Sequence, residues 1–412
     1  MLLIAHPLGN TFFRAASRSF HSAGWLKELD SCICWDSNSA LAHFLPASLA
    51  AQFDRRTFND VPLSLQHSHH WRELGRLLSS SLSLSWLQRH ELGPFSIDAV
   101  YRSFDRHVAS RLPNQIGLQA VYAYEDAALT SFQAAERLGL RRIYDLPIGY
   151  WQAAQRIFQE ESELQPDWAC TLTGLNDSRA KLERKDQELQ LADLVVVPSE
   201  FVRNTLQEYM VISSPISVVP FGSPPPLSDP LHTSSTGPLR VLYVGSLGQR
   251  KGLSYALDAV HRLGLQVSLT LIGRVASPEC RPLAAALRRH RWIETLPHHL
   301  VLEQMRQHDV LLLPSLFEGY ALVISEALSQ GLPVITTPNS GASHTIRNGL
   351  EGFIVPIRNS FAIAECLQQL VDDRSQLFEM RLACLRRATE LSWAGYEQEL
   401  RSVVGRALTQ AP

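Results

Sequence analysis

The sequence predicts an α/β chain built from doubly wound, parallel-sheet domains, and three observations carry that prediction. Its 412 residues call for two or three domains at about 150 residues each, every one large enough to bury a core of its own. The stretch Ser223 to Pro238 (SPPPLSDPLHTSSTGP) holds five prolines and can continue neither helix nor sheet, so it reads as a linker, 223–238, between a first domain over 1–222 and a second over 239–390. On both sides of it, apolar strand-like runs end in turns that open helices, the grammar of an open parallel sheet.

Composition sets the class. Apolar residues make up 45% and charged residues 19% of the chain, with 22 Gly and 23 Pro near average usage, as in an ordinary globular enzyme or binding protein and unlike a disordered or collagen-like chain. Thirty-eight Lys and Arg against 40 Asp and Glu leave a net charge of −2, so no global field draws the chain to nucleic acid, and no nucleic-acid partner is expected. Cys32, Cys34, Cys170, Cys280, Cys366 and Cys384 lack the paired spacing of a zinc site and read as reduced thiols. The apolar start stops at Pro7, and no run of about 18 apolar residues follows. A cytoplasmic location is expected, with peripheral contact to the inner face of a membrane left open.

In the first half, Leu2 to Ala5 reads as a short strand stopped by the turn His6-Pro7-Leu8-Gly9-Asn10. Ser31 to Trp35 and Val121 to Tyr124 read as further buried strands, Cys32 and Cys34 as core. His67 to Leu87 is Ser-rich, and its His67, His69 and His70 read as a solvated helix start and loop rather than a metal site, since no carboxylate or Cys follows at ligand spacing. A charge-dense helix over Ser178 to Leu191 leads into the buried run Ala192 to Val197. Pro198 turns the chain, and the Ser199 hydroxyl caps a helix over Phe201 to Tyr209. Glu160, Glu161 and Glu163 read as a solvated helix end or as ligands for an acceptor amine.

Beyond the linker the alternation is regular: strand Arg240 to Val244, a glycine loop, helix Ser254 to Leu263, strand Ser268 to Ile272, helix Leu283 to His290, strand Val310 to Leu313, a loop, helix Leu322 to Gln330, strand Pro333 to Thr336 and a helical region from Ala362 to Leu385. Ligands of such a sheet bind beyond the carboxyl ends of its strands. The basic stretch Arg281 to Trp292 reads as an exposed helix end, the alternative being contact with anionic lipid. Trp393, Tyr396, Leu400 and Val404 keep helical spacing within Leu391 to Leu408.

Chemistry concentrates in two segments. Gly245-Ser246-Leu247-Gly248-Gln249-Arg250-Lys251-Gly252 lies between a strand and a helix, where glycine backbone N–H groups, a helix N-terminus and two cations suit a diphosphate. It matches neither GxxxxGK[ST] nor GxGxxG. In Leu313-Pro314-Ser315-Leu316-Phe317-Glu318-Gly319-Tyr320-Ala321-Leu322-Val323-Ile324-Ser325-Glu326-Ala327, Glu318 lies in a loop and Glu326 about two turns inside a helix. Both can face one crevice and accept hydrogen bonds from sugar hydroxyls. No Asp-x-Asp pair offers a metal seat.

Taken in order with Ser340-Gly341-Ala342-Ser343-His344 and Asn348-Gly349-Leu350-Glu351-Gly352-Phe353, these segments resemble the donor domain of glycosyltransferase family 4, over about residues 186 to 390. The resemblance implies the GT-B fold, two Rossmann-like domains facing each other across a cleft, and a retaining transferase that moves a sugar from a nucleotide-diphosphate sugar to a glycan or lipid-linked acceptor without a metal or other cofactor. It further implies that Arg250 and Lys251 hold the diphosphate, that Glu318 contacts the donor sugar and Glu326 the ribose, and that Gly319, Tyr320, Ala321 and the start of the helix at Leu322 offer backbone N–H groups. Gly245, Ser246 and, from the first domain, Gly9 would lie near the phosphates, Leu296 to Leu302 would pack on the base, and a C-terminal helix over about 391–412 would cross back to the first domain. Three positions depart from the family. Ser246 stands where Arg is frequent, His344 where an acidic residue is common, and Tyr144-Asp145-Leu146-Pro147 replaces the segment that supplies a His near the reacting sugar, so Asp145 is expected to hydrogen-bond the sugar instead. Two rival readings keep the fold: a sugar-nucleotide epimerase or phosphorolytic enzyme, and a non-catalytic subunit that scaffolds another transferase.

Overall fold

A computed structural model describes residues 1–37, 39, 53, 56–228 and 237–409. The first sheet comprises β1 (Leu2–Ala5), β2 (Leu26–Ser31), β3 (Gln66–Ser68), β4 (Ala120–Tyr124), β5 (Arg141–Asp145), β6 (Leu194–Val197) and β7 (Ile216–Val218). All pairs are parallel, in the order β3-β2-β1-β4-β5-β6-β7. Helices α1 (Thr11–Ser22), α2 (Trp71–Ser81), α3 (Ile97–Arg111), α4 (Leu129–Arg137), α5 (Trp151–Leu164), α6 (Arg179–Leu191) and α7 (Glu200–Tyr209) follow the strands. β1, β4 and β6 are buried along their whole length, as strands covered on both faces must be.

The second sheet comprises β8 (Leu239–Val244), β9 (Val267–Ile272), β10 (Arg291–Ile293), β11 (Val310–Leu313), β12 (Val334–Thr336) and β13 (Gly352–Ile354), again all parallel, in the order β10-β9-β8-β11-β12-β13. Its helices are α8 (Leu253–Leu263), α9 (Arg281–Arg289), α10 (His298–Gln307), α11 (Leu322–Ser329), α12 (Ala342–Thr345), α13 (Ser360–Asp372), α14 (Ser375–Glu390) and α15 (Trp393–Thr409). Each sheet reverses its winding once, between β1 and β4 and between β8 and β11, which marks where the loops at strand ends leave a crevice.

Several elements differ from the sequence reading. The strand next to β1 is Leu26–Ser31, and Ser31 to Trp35 is the chain leaving it; Lys27, Glu28 and Asp30 disguise the strand, because Arg111 approaches Glu28 at 2.8 Å and Asp30 at 3.8 Å and lets both carboxylates be buried. His67 belongs to edge strand β3, 3.3 Å from Glu28, while His69 bonds the Ser103 hydroxyl and stacks on His107. The helical region around 362–385 is two helices, divided where the Asp373 carboxylate accepts the Ser375 N–H. Of the linker, residues 229–236 lie outside the described residues, as do 410–412 of the C-terminal segment.

The most consequential difference concerns residues 151–176, which the sequence reading assigns to the first domain. Ala153, Ile157, Phe158, Trp168 and Leu172 belong to the core of the second sheet, together with Val241, Tyr243, Leu253 and Ala256. In return, α15 lays Tyr396, Leu400, Val403 and Val404 into the first domain's core beside Phe13 and Phe20, and Glu397 accepts from Arg18 at 2.9 Å. The chain therefore exchanges a helix each way between its two halves. Among the described residues no helix is long and apolar enough to cross a membrane, and all six cysteines are free.

Candidate functional site

Four loops at the carboxyl ends of β1, β8, β11 and β12 carry most of the residues that the sequence singles out, Glu326 lying within α11 and Asp145 at the end of β5. The loop after β8 is held by its own backbone: Gly245 donates to Ile272 O, Leu247 to Arg274 O, Gly248 to Ser246 O, Lys251 to Gly248 O and Gly252 to Gln249 O. This corrects the expectation that its N–H groups cradle an anion, because most are already spent. Gly252 is required by geometry, since its φ is +67° and a Cβ there would sit 2.0 Å from Pro314 O. That contact seats the β8 loop directly on the β11 loop.

The seating brings three charges together. Glu318 Oε1 lies 2.7 Å from Arg250 Nη1 and 2.5 Å from Lys251 Nζ, and Arg250 also donates to Phe317 O at 3.0 Å. Burial pushes the Lys251 ammonium below the usual lysine range, against the pull of Glu318. Burial would raise the Glu318 carboxyl, but the charges of Lys251 and Arg250 outweigh it and hold it below its ordinary value. The triad keeps a net charge of one positive unit, with Lys251 and Glu318 nearly removed from water.

Beside it, Gly319 to Val323 form the entry to α11. The N–H of Glu318 donates to Asn339 O and that of Ala321 to Ser340 O, so Ala321 does not offer the donor that the sequence assigned to it. Among the described residues the N–H groups of Gly319, Tyr320, Leu322 and Val323 have no acceptor within the chain, which leaves an anion-attracting helix start. Tyr320 points its hydroxyl to Phe221 O at 3.0 Å. Just over one turn into α11, Glu326 accepts from His298 Nε2 at 3.0 Å, and that hydrogen bond raises the imidazole pKa. His298 heads α10, inside the segment expected to cover the base, and its role toward Glu326 is invisible in the sequence.

The first domain meets these loops closely. A Cβ on Gly319 would lie 1.7 Å from Pro147 O. The Ser199 hydroxyl donates to Gly319 O at 2.7 Å, and the Glu200 N–H at the start of α7 donates to His344 Nε2 at 3.1 Å, so His344 caps a helix of the opposite domain. Burial lowers the His344 pKa, in keeping with a neutral acceptor. In the β1 loop, His6 Nδ1 accepts the N–H groups of Leu8 and Gly9 at 3.1 and 2.9 Å. Burial pushes its pKa down to about 3, so a neutral imidazole shapes the turn.

Asp145 departs from its expected place. Its carboxylate is 1% exposed and accepts the Tyr122 hydroxyl at 2.5 Å; burial pushes its pKa up to about 7. It sits inside the first sheet's core, because Tyr122 on the neighbouring strand claims it. Glu161 is the residue that sequence reasoning missed. Fully buried, it accepts from Gln249 Nε2 at 2.6 Å, Tyr255 Oη at 2.9 Å and Arg358 Nε at 2.7 Å, while Thr171 Oγ1 accepts the Gln249 N–H at 2.9 Å. It is neither a solvated helix end nor a ligand, and it braces the loop carrying Arg250 and Lys251. The signal was present: Ala153, Ile157 and Glu161 recur at i, i+4, i+8 on one helix stripe.

Among the described residues one His/carboxylate group, His90, Glu91 and Asp177, draws possible ligand atoms together. Lys181 Nζ stands 2.9 Å from Asp177 and 3.1 Å from Asp98 there, filling a cation's place with its own charge.

Residues 229–390 match the family of glycosyl transferases group 1. Among curated proteins, the glycogen synthase of Mycobacterium tuberculosis is 29% identical over 166 residues, 38% of this chain and 40% of the relative. The D-inositol 3-phosphate glycosyltransferase of Corynebacterium glutamicum is 26% identical over 261 residues, 57% of this chain and 62% of the relative. The matches thus span less than two thirds of these relatives' length. Among solved structures, sucrose-phosphate synthase from Thermosynechococcus elongatus superposes with a TM-score of 0.69 at 16% identity, covering 98% of both chains. HepE of Anabaena, solved with UDP and glucose, gives 0.60 at 13% identity, covering 98% of this chain and 99% of that one. This chain is built from two parallel Rossmann-like sheets in GT-B arrangement, and its residues 229–390, which include the second sheet, are similar to the glycosyl transferases group 1.

Proposed function

We propose that the chain is a retaining glycosyltransferase that moves a hexose or deoxyhexose from a nucleotide-diphosphate sugar to a hydroxyl of a glycan or lipid-linked acceptor, with no metal ion. The observation that supports this most is the convergence of Arg250 and Lys251 on Glu318 beside the unspent N–H groups at the start of α11. A donor diphosphate ester brings about two negative charges, and the triad's surplus cation with a helix N-terminus supplies the opposite field in a dry place, where it acts strongly. By their names the relatives given above are a glycogen synthase and a glycosyltransferase, and the matched segment contains Arg250, Lys251, Glu318 and the start of α11.

In this reading the anomeric carbon's bond to phosphate oxygen breaks, its electron pair leaving with the diphosphate. The acceptor oxygen bonds that carbon from the same face and loses its proton to the leaving phosphate. Arg250 and Lys251 stabilise the charge as it develops on the leaving group, so no Asp-x-Asp pair and metal are called for. Glu318, held between two cations, stays ionised and accepts from the donor sugar's hydroxyls. Glu326 exchanges His298 for the ribose. The contacts of Ser199 and His344 across the cleft close the site against water.

The test is thermal unfolding of the full chain with UDP, GDP, ADP and TDP and their sugars, with and without EDTA, beside Lys251→Ala and Glu326→Ala. Ligand at 100 times its dissociation constant stabilises the native state by about 2.7 kcal/mol. One nucleotide series should stabilise the wild type with EDTA present and fail with both variants. No shift with any nucleotide would overturn the reading in favour of a scaffold subunit.

A further inference from the structure

On the first domain, a cavity of about 530 Å³ lies between α3, the start of α4 and the loop from Glu91 to Pro94. Four arginines line it: Arg72 of α2, Arg102 and Arg106 one turn apart on α3, and Arg184 of α6. The three carboxylates in its wall are already engaged, one of them with Arg184 of the same wall. Asp105 accepts the N–H groups of Thr130 and Ser131 at 2.6 and 2.9 Å, Asp126 holds Arg184 and Lys185, and Glu91 accepts the Ser178 N–H at 2.7 Å.

Among the described residues, Arg72, Arg102 and Arg106 have no carboxylate partner. Each donates to a backbone carbonyl: Arg72 to Pro94 O at 2.5 Å, Arg102 to Glu91 O at 3.3 Å and Arg106 to Arg102 O at 3.2 Å. The Nε–H groups of Arg72 and Arg184 are buried with no acceptor, an arrangement that costs free energy unless something supplies one. Burial, then the charges of Arg106 and Arg102, lower the Arg72 pKa, so the three cations are close enough to repel. An oxyanion with several acceptor oxygens would relieve the repulsion and satisfy the orphaned donors together, through the planar fork that guanidinium offers.

We propose that this cavity binds a phosphate-class anion, gripped by Arg72, Arg102 and Arg106. The assignment is independent of the sugar-transfer reading. Such a group can arrive free, as on a small phosphorylated molecule, or on a lipid headgroup; Trp71 and Leu92, 51% and 72% exposed beside these arginines, would meet the lipid's apolar part.

The experiment uses the full chain in a Lys251→Ala background, which removes the other cationic seat, with and without the added pair Arg102→Ala and Arg106→Ala. Both added positions are exposed, and melting curves verify that the variant folds. Inorganic phosphate is titrated at about 0.15 M salt, where long-range attraction is screened, and vesicles of phosphatidylcholine are compared with vesicles containing one part in about three of phosphatidylglycerol. Phosphate binding that weakens about a hundredfold in the pair variant, and recovers in part with Arg102→Lys and Arg106→Lys, supports a small phosphorylated ligand. Cosedimentation with anionic vesicles alone, lost in the same variant, supports a headgroup. Absence of both, or binding that the pair variant leaves unchanged, overturns the proposal.

Discussion

The two halves of the molecule treat the same residue types in opposite ways. In the second, Arg250, Lys251, Glu318 and Glu326 gather at the carboxyl ends of β8 and β11, within loops and one helix start. In the first, Asp105, Asp145 and Glu188 are buried and consumed by the fold. Glu188 alone accepts the N–H groups of Asp126, Ala128 and Leu129 and the Tyr144 hydroxyl. A carboxylate near a strand end is therefore a site residue or an internal brace according to what the next strand and helix offer it, and Tyr122 is enough to turn Asp145 into a brace.

The largest expected effect lies where the halves meet. Glu161→Ala takes from Arg358 the buried one of its two carboxylate partners, Glu160 remaining at 2.9 Å, and leaves the Gln249 amide and the Tyr255 hydroxyl without their acceptor, so unfolding in denaturant should show a loss of about 3–5 kcal/mol. Arg358→Ala in the same chain should restore much of it, a double-mutant cycle that isolates the pair. Additive losses would mean that the Glu161–Arg358 contact carries no coupling.

That prediction also marks what was legible in the sequence. In the second sheet four of the six described strands could be read, because β8 and β9 run straight into Gly245 and Gly273 and β11 and β12 are short apolar runs bounded by proline, and the site's charges lie within a few residues of β8 and β11. The edge strands β10, overlapping the stretch Arg281 to Trp292 expected to be a helix end, and β13 are too short to stand out. The first sheet hid β2 behind Lys27, Glu28 and Asp30; the two carboxylates are buried beside Arg111, 83 residues beyond Glu28. Glu161 was read as surface for the same reason: the partners that pull it inside, Gln249, Tyr255 and Arg358, belong to the other sheet. Local spacing reveals sites built by local segments, whereas burial of a charge is decided by remote chain.

Asp145 gives the next effect and separates brace from site directly. Its pKa of about 7 in the fold against 3.8 for an ordinary aspartate means that folding favours the protonated form. The stabilisation is whole below about pH 4 and is lost as pH rises through 7, by up to about 4 kcal/mol. Asp145→Asn lacks this dependence, so its urea midpoint should fall less than that of the wild type between pH 5 and 8, with nucleotide binding unchanged. Parallel pH profiles, or lost binding, would return Asp145 to the site.

Lys251→Ala tests the other half, and its effect should appear in function rather than in stability. Removing one charged contact to the leaving group is expected to lower kcat/KM about a hundredfold, and burial already disfavours the Lys251 ammonium, so the melting temperature without ligand should hardly fall. A variant that melts early with unchanged turnover would make the triad a brace like Glu161 and erase the contrast between the halves.

The smallest effect comes from His298, a surface partner inside the functional half. Glu326 raises its pKa through the 3.0 Å hydrogen bond, so at low pH the imidazolium holds Glu326 and competes with a ribose for it. As pH rises the imidazole becomes neutral and releases the carboxylate, and nucleotide affinity should increase, by no more than about fivefold since an exposed pair is worth at most about 1 kcal/mol. His298→Gln should flatten that rise while Glu326→Ala lowers affinity at every pH. If the rise survives in His298→Gln, the proton is taken up elsewhere. His344 would be the next group to examine, because its neutral Nε2 accepts the Glu200 N–H across the cleft and protonation below its lowered pKa would break that contact.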